Sequence, residues 1–138
     1  MKVRNICTAP GKSVHHGTVT QCELFKEDEF RSSINVFHSN ILEPRVTLEP
    51  HRHGNEEQVF FILGGSGVVT VGGQRRNIKE GDAIYLPPRV MHSMKNTGSH
   101  PLRFLAVGAK IGRARPDDSR AGPSDHRSNS NESSQRRP

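Results

Sequence analysis

The chain has 138 residues, with 20 Lys and Arg against 14 Asp and Glu, for a formal net charge of +6 at neutral pH. That length favours a single domain. The basic excess is scattered, and with no Trp and one Tyr a platform for stacking bases is hard to assemble, so nucleic acid is not an expected partner.

The first residues, Met1-Lys2-Val3-Arg4-Asn5, lead into no long apolar run. Neither a signal peptide nor a membrane span is expected, and the chain reads as a cytoplasmic protein. Cys7 and Cys22 fit no zinc spacing and are read as reduced, partly buried thiols. Short segments rich in β-branched or aromatic residues then follow at 18–24, 33–37, 45–48, 58–63, 68–71, 83–86 and 102–107. The only helical pattern, at 24–30, is one or two turns long and weak.

Gly64-Gly65-Ser66-Gly67, Gly72-Gly73 and Pro87-Pro88 separate these segments as turns. Val71-Gly72-Gly73-Gln74 suits a two-residue hairpin, because Gly tolerates the positive φ such turns need. Many short strands at close spacing predict an all-β sandwich or barrel over 1–110. From Ile111 onward the composition shifts to Arg, Ser, Pro, Asp and Asn. Such a segment cannot bury enough surface to offset its ordering entropy, and 111–138 is read as a disordered basic tail.

Eight histidines need sorting. His15 and His16 are read as surface residues beside Gly17, and His38, His100 and His126 as bystanders in polar contexts. His51 and His53 differ. On an extended segment, residues two apart point the same way, so both imidazoles can reach one ion at about 2.0–2.2 Å. Arg52 between them faces away.

Further along, Gly81-Asp82-Ala83-Ile84-Tyr85-Leu86-Pro87-Pro88 leads into Arg89-Val90-Met91-His92. Here the chain resembles the cupin family, whose motifs are G-x5-H-x-H-x(3,4)-E-x6-G and G-x5-P-x-G-x2-H-x3-N. The second is matched by Gly81, Pro87, His92 and Asn96, the first by His51, His53 and a strand-end glycine. The resemblance covers about 41–107 and implies a jelly-roll barrel, a divalent metal and a small-molecule ligand. Arg45 and Arg89 stand where the family has its leading and inner glycines.

The fourth ligand has two candidates. Glu57 satisfies the motif if Gly64 ends it, and Gln58 if Gly65 does. Leu63-Gly64-Gly65-Ser66-Gly67 resembles the family's Leu-x-Gly-x-Gly turn, so Gln58 is preferred, and some cupins use Gln at this place. A slip of one residue turns a side chain to the opposite face, so only one of the two reaches an ion. Glu57 remains the alternative.

The resemblance thus implies one metal ion on His51, His53, Gln58 and His92. Nitrogen and oxygen donors without thiolate suit Fe, Mn, Ni, Co or Zn. Four neutral ligands would leave the full +2 charge on the ion, a strong Lewis acid toward an anionic substrate.

Strand parity sets Phe60 and Ile62 on the Gln58 face and Met94 on the His92 face, as apolar walls of the pocket. Asn35, Arg45, Tyr85 and Arg103 are polar candidates of undetermined facing, and no catalytic residue is assigned. Three functions fit. One is a metal-dependent enzyme that oxygenates, isomerises or eliminates from a small polar molecule. A second is a binding or sensing module without turnover, and a third is an interaction protein with a vestigial pocket. One barrel hosts many activities, so fold cannot choose among them. A homodimer through sheet edges and N-terminal strands is expected, because unpaired edges invite pairing.

Overall fold

The computed structural model describes residues 1–112, so the expected tail lies, but for its first two residues, outside the described part. The strands are β1 (Lys12–Val14), β2 (Val19–Glu23), β3 (Ile34–Leu42), β4 (Thr47–His51), β5 (Glu56–Gly64), β6 (Ser66–Val71), β7 (Gln74–Lys79), β8 (Ala83–Leu86), β9 (His92–Asn96) and β10 (Leu102–Lys110). They form a six-stranded sheet in the order β1-β2-β3-β10-β5-β8 and a four-stranded sheet in the order β4-β9-β6-β7. All pairings are antiparallel, and the two sheets close over one core as the expected jelly-roll barrel.

Alternation drives the packing. Along β5, Phe60 is 5% exposed and its neighbour Phe61 is 43% exposed, because successive side chains point to opposite faces. Leu42, Ile62 and Leu102 from one sheet meet Leu48, Val69 and Met94 from the other. Each such burial contributes roughly 1.5–3 kcal/mol. Among the described residues no helix is long and apolar enough to cross a membrane.

The structure departs from the expected elements in several places. β3 runs on to Leu42, well past residue 37. β1, β7 and β9 lie outside the expected strands. β7 is polar except for buried Ile78, and His92-Ser93-Met94-Lys95-Asn96 has no β-branched residue, so their pairing partners, not their propensities, make them strands. The helical pattern at 24–30 shrinks to one 3-10 turn, Glu27–Glu29. There Phe25 and Phe30 both pack on Phe37, with ring centroids 5.7 and 6.3 Å away. Arg4 and Lys2 reach across to Glu29 at 2.7 and 2.8 Å and, with other hydrogen bonds, hold its carboxyl down at about 2.

The turns follow backbone sterics. Gly72 and Gly73 both take positive φ, as the two-residue hairpin between Val71 and Gln74 requires. Gly65 has φ +83°, and a Cβ there would stand 2.6 Å from the Pro101 carbonyl oxygen, whereas Gly64 has open space. Gly65 is therefore the position that needs glycine.

Arg45 and Arg89, at φ 69° and 62°, occupy left-handed backbone that side chains avoid. Arg89 is compensated: its backbone N–H donates to His53 at 2.8 Å and its guanidinium to Asn55 at 2.8 Å. Arg45 is exposed, and its backbone N–H donates to Asn96 at 3.1 Å, a bond that glycine would keep. Arg45→Gly is accordingly expected to raise stability by about 1 kcal/mol, as read by urea denaturation; an unchanged or lower midpoint would show that the turn carries no strain.

Candidate metal centre

His51 ends β4 and His92 opens β9, and antiparallel pairing sets the two directly opposite one another. His53 follows on extended chain, with exposed Arg52 facing away. One ring nitrogen from each of the three histidines lies within 4.8 Å of the others. Ring centroids are 4.3 Å apart for His51 and His92, 5.3 Å for His51 and His53, and 5.2 Å for His53 and His92.

Backbone carbonyls decide which nitrogens face inward. His51 Nδ1 lies 2.8 Å from the Glu49 carbonyl, and His92 Nδ1 lies 3.1 Å from the Val90 carbonyl. A carbonyl only accepts, so each ring donates from Nδ1, which in a neutral ring leaves the lone pair on Nε2. Burial pushes His92 down to about 4, which keeps it neutral at physiological pH. Yet the two Nε2 atoms stand 3.1 Å apart. Facing lone pairs repel unless a proton or a cation lies between them. Two nitrogens each about 2.1 Å from one ion, at right angles, would be ~3.0 Å apart. The donor set fits a divalent ion.

Gln58 is buried and projects from β5 into the same space. Room for it comes from Gly108 opposite on β10, where a Cβ would meet Gln58 Cγ at 3.0 Å. Glu57 turns to the outer face and accepts from the Tyr85 hydroxyl at 2.9 Å.

A cavity of about 250 Å³ adjoins His51, His53 and Gln58. Leu48, Phe60 and Phe104 are among its apolar walls, while Gln21, Asn40 and His38 are polar. Of the expected wall residues only Phe60 lines it. Ile62 and Met94 keep the expected facing but lie in the core, 0% and 1% exposed, because each further pair of residues carries a strand ~6.6 Å onward.

The other polar candidates separate. Arg45 and Arg103 are exposed, Tyr85 is on the outer face, and Asn35 is drawn to Glu56. Asn96, which closes the second motif, is structural. Its amide donates to Leu42 and His100 carbonyls at 2.9 and 2.8 Å and accepts from Gly98 N–H at 2.9 Å.

Among the titratable residues of the cavity, three escape a reading of the sequence. His15, exposed at the rim, lies with its ring 5.0 Å from that of His51. His38 lines the cavity from β3, its pKa lowered by burial, a shift that Glu23 opposes. Glu56 also lines it, with its Oε1 3.7 Å from His53 Nδ1. Burial lowers His53 in turn, and Glu56 opposes that shift. A signal for Glu56 exists: it is two residues before Gln58 on one strand and so shares its face. His15 and His38 leave no such trace, since only the folding of β1, β2 and β3 over the cavity brings them there.

Known proteins resemble this chain in sequence and fold. The chain is 32% identical over 91 residues to an oxalate-binding protein of Thermotoga maritima, covering 66% of this chain and 75% of that one. It is 38% identical over 55 residues to an uncharacterised protein of Methanocaldococcus jannaschii, covering 40% of this chain and only 44% of that one. A Thermotoga maritima crystal structure described as a predicted oxalate decarboxylase superposes with a TM-score of 0.76 at 26% identity, over 80% of this chain and all of that one. The profile described as the cupin domain matches residues 40–108, half of the chain and the stretch that holds all three clustered histidines. By its barrel, its two motifs and this match, the chain belongs to the cupin family.

Proposed function

We propose that this cupin is a metal-dependent enzyme acting on a small carboxylate, with His51, His53 and His92 and the Gln58 amide oxygen holding one divalent ion. The observation that carries the reading is the pair of Nε2 atoms facing each other at 3.1 Å beside the cavity. A bound ion would supply Lewis acidity toward a carboxylate or carbonyl oxygen. The cavity, at about 250 Å³, suits a molecule of a few heavy atoms. Leu48, Phe60 and Phe104 give it apolar wall, and His38 and Asn40 are polar groups in the same lining that would orient a bound molecule.

Oxygenation, isomerisation and elimination all remain within this reading. Binding without turnover is the second reading, favoured by similarity to a protein named for binding oxalate. The protein would work in the cytoplasm, where its free Cys7 and Cys22 stay reduced.

The ligand set is testable residue by residue in protein purified without a His-tag. Replacing His51, His53 or His92 with Ala should each lower metal occupancy sharply. Gln58→Ala should weaken binding less, because a neutral amide oxygen is the poorest donor of the four. Glu57→Ala should leave occupancy near native. Metal lost from Glu57→Ala but kept by Gln58→Ala would reverse the assignment.

Function is separated by offering oxalate and related small acids to metal-loaded protein in air and under nitrogen. Consumption of a bound acid supports the enzyme. Saturable binding without consumption supports the second reading, and no binding to metal-saturated protein rejects both.

A homodimer is also proposed. Val59, Phe61 and Leu63 on the outer face of β5, together with Tyr85 on β8, are 42%, 43%, 40% and 55% exposed and make a patch of the kind that marks interfaces. Sedimentation at micromolar concentration should show a dimer that Phe61→Lys dissociates; a native monomer would reject it.

A further inference from the structure

We propose that Glu56 is a positioning residue of the histidine cluster: its carboxylate sets which end of the Gln58 amide faces the cluster and supplies nearby the negative charge that Gln58 lacks. The inference rests on the cluster being a metal site, and it concerns a residue at a position that the first motif leaves unspecified.

Glu56 opens β5 and shares the inward face with Gln58. Its Oε1 accepts from Gln58 Nε2, and its Oε2 accepts from Asn35 Nδ2 on β3. An ionised carboxylate has no proton to give. Gln58 must therefore turn its NH2 toward Glu56, which leaves Oε1 free. That oxygen is the only end of the amide able to ligate a cation. Without a partner of fixed polarity, the two ends of a glutamine amide are nearly alike in shape, and the flipped form would aim N–H groups at the ion.

Two further observations point the same way. Glu56 Oε1 lies 3.7 Å from His53 Nδ1, too far for a hydrogen bond but close enough to favour the ring proton on that nitrogen and the lone pair on Nε2. One carboxylate thus bears on two of the four candidate ligands. In addition, Asn35 Oδ1 is buried with no partner among the described residues. The same constraint accounts for it, because Asn35 must also give its NH2 to the acceptor-only carboxylate. Where the family motif has a ligating glutamate, this chain keeps the charge on the same strand face two residues earlier and ligates through a neutral amide.

The test uses metal-stripped full-length protein titrated with Co(II) against a competing chelator, in native, Glu56→Gln, Gln58→Glu and double Glu56→Gln/Gln58→Glu forms. Glu56→Gln is expected to weaken Co(II) binding about 10- to 100-fold, the usual effect of losing a group that orients a ligand. The double variant should recover native affinity, because a carboxylate at 58 has two equivalent oxygens and needs no orienting. In metal-free protein, the Gln58 side-chain amide protons should exchange slowly in the native form and fast in Glu56→Gln. Affinity within twofold of native for Glu56→Gln, or a double variant as weak as the single one, overturns the inference while the metal reading stands. Native protein that binds no Co(II) overturns the metal reading and this inference with it.

Discussion

The pairing of β4 with β9 sets His51 opposite His92, and much of the polar interior is arranged around that contact. Each ring is anchored from behind by a backbone carbonyl two residues earlier in the chain, Glu49 for His51 and Val90 for His92. Such anchors cost little side-chain entropy, since the accepting groups belong to the chain segments that carry the rings. They also leave the rings no freedom to turn their lone pairs apart. Two ring acceptors 3.1 Å from each other repel unless a proton or a cation lies between them.

Charge is distributed around this pair more evenly than four neutral ligands would suggest. From the ligand set alone, an ion here would keep its full +2 charge toward the substrate. Glu56 changes that picture, because its carboxylate lies on the same face of β5 as Gln58 and 3.7 Å from His53. On the proposed assignment its influence would act through space and through the Gln58 amide, so the site would combine a neutral ligand set with a nearby compensating charge. The cavity beside it has apolar walls, which strengthen any such interaction by excluding water.

The scaffold pays for this arrangement at its bends. Left-handed backbone is needed at residues 45 and 89, just before β4 and β9, where the chain turns to deliver His51 and His92. The motifs that this chain resembles have glycine at both places, and this chain has arginine instead. At 89 the carbonyl of His53 and the side chain of Asn55 take up the strained residue, which ties the second motif to the first beside the histidine cluster. Asn96 performs the matching task at the far end of β9, joining that strand to Leu42 and to the loop at His100.

Much of this was legible in the residues themselves. Period-two alternation marked β5 and its two faces, and paired glycines marked the hairpin after β6. Two motifs separated by a run of strands identified the barrel and drew attention to His51, His53 and His92. These features are local: each depends on residues within a few positions of one another, so sequence order carries the information. Tertiary structure alone decided the rest. β7 and β9 are strands because of what they pair with, and Ile62 and Met94 are core because of how far along their strands they lie. His15, His38 and Glu56 join the cavity because β1, β3 and β5 converge there, and Gln58 has a definite orientation because a carboxylate that can only accept sits beside it. No pattern in the chain encodes those distances, since they arise only when segments remote in sequence are folded against each other.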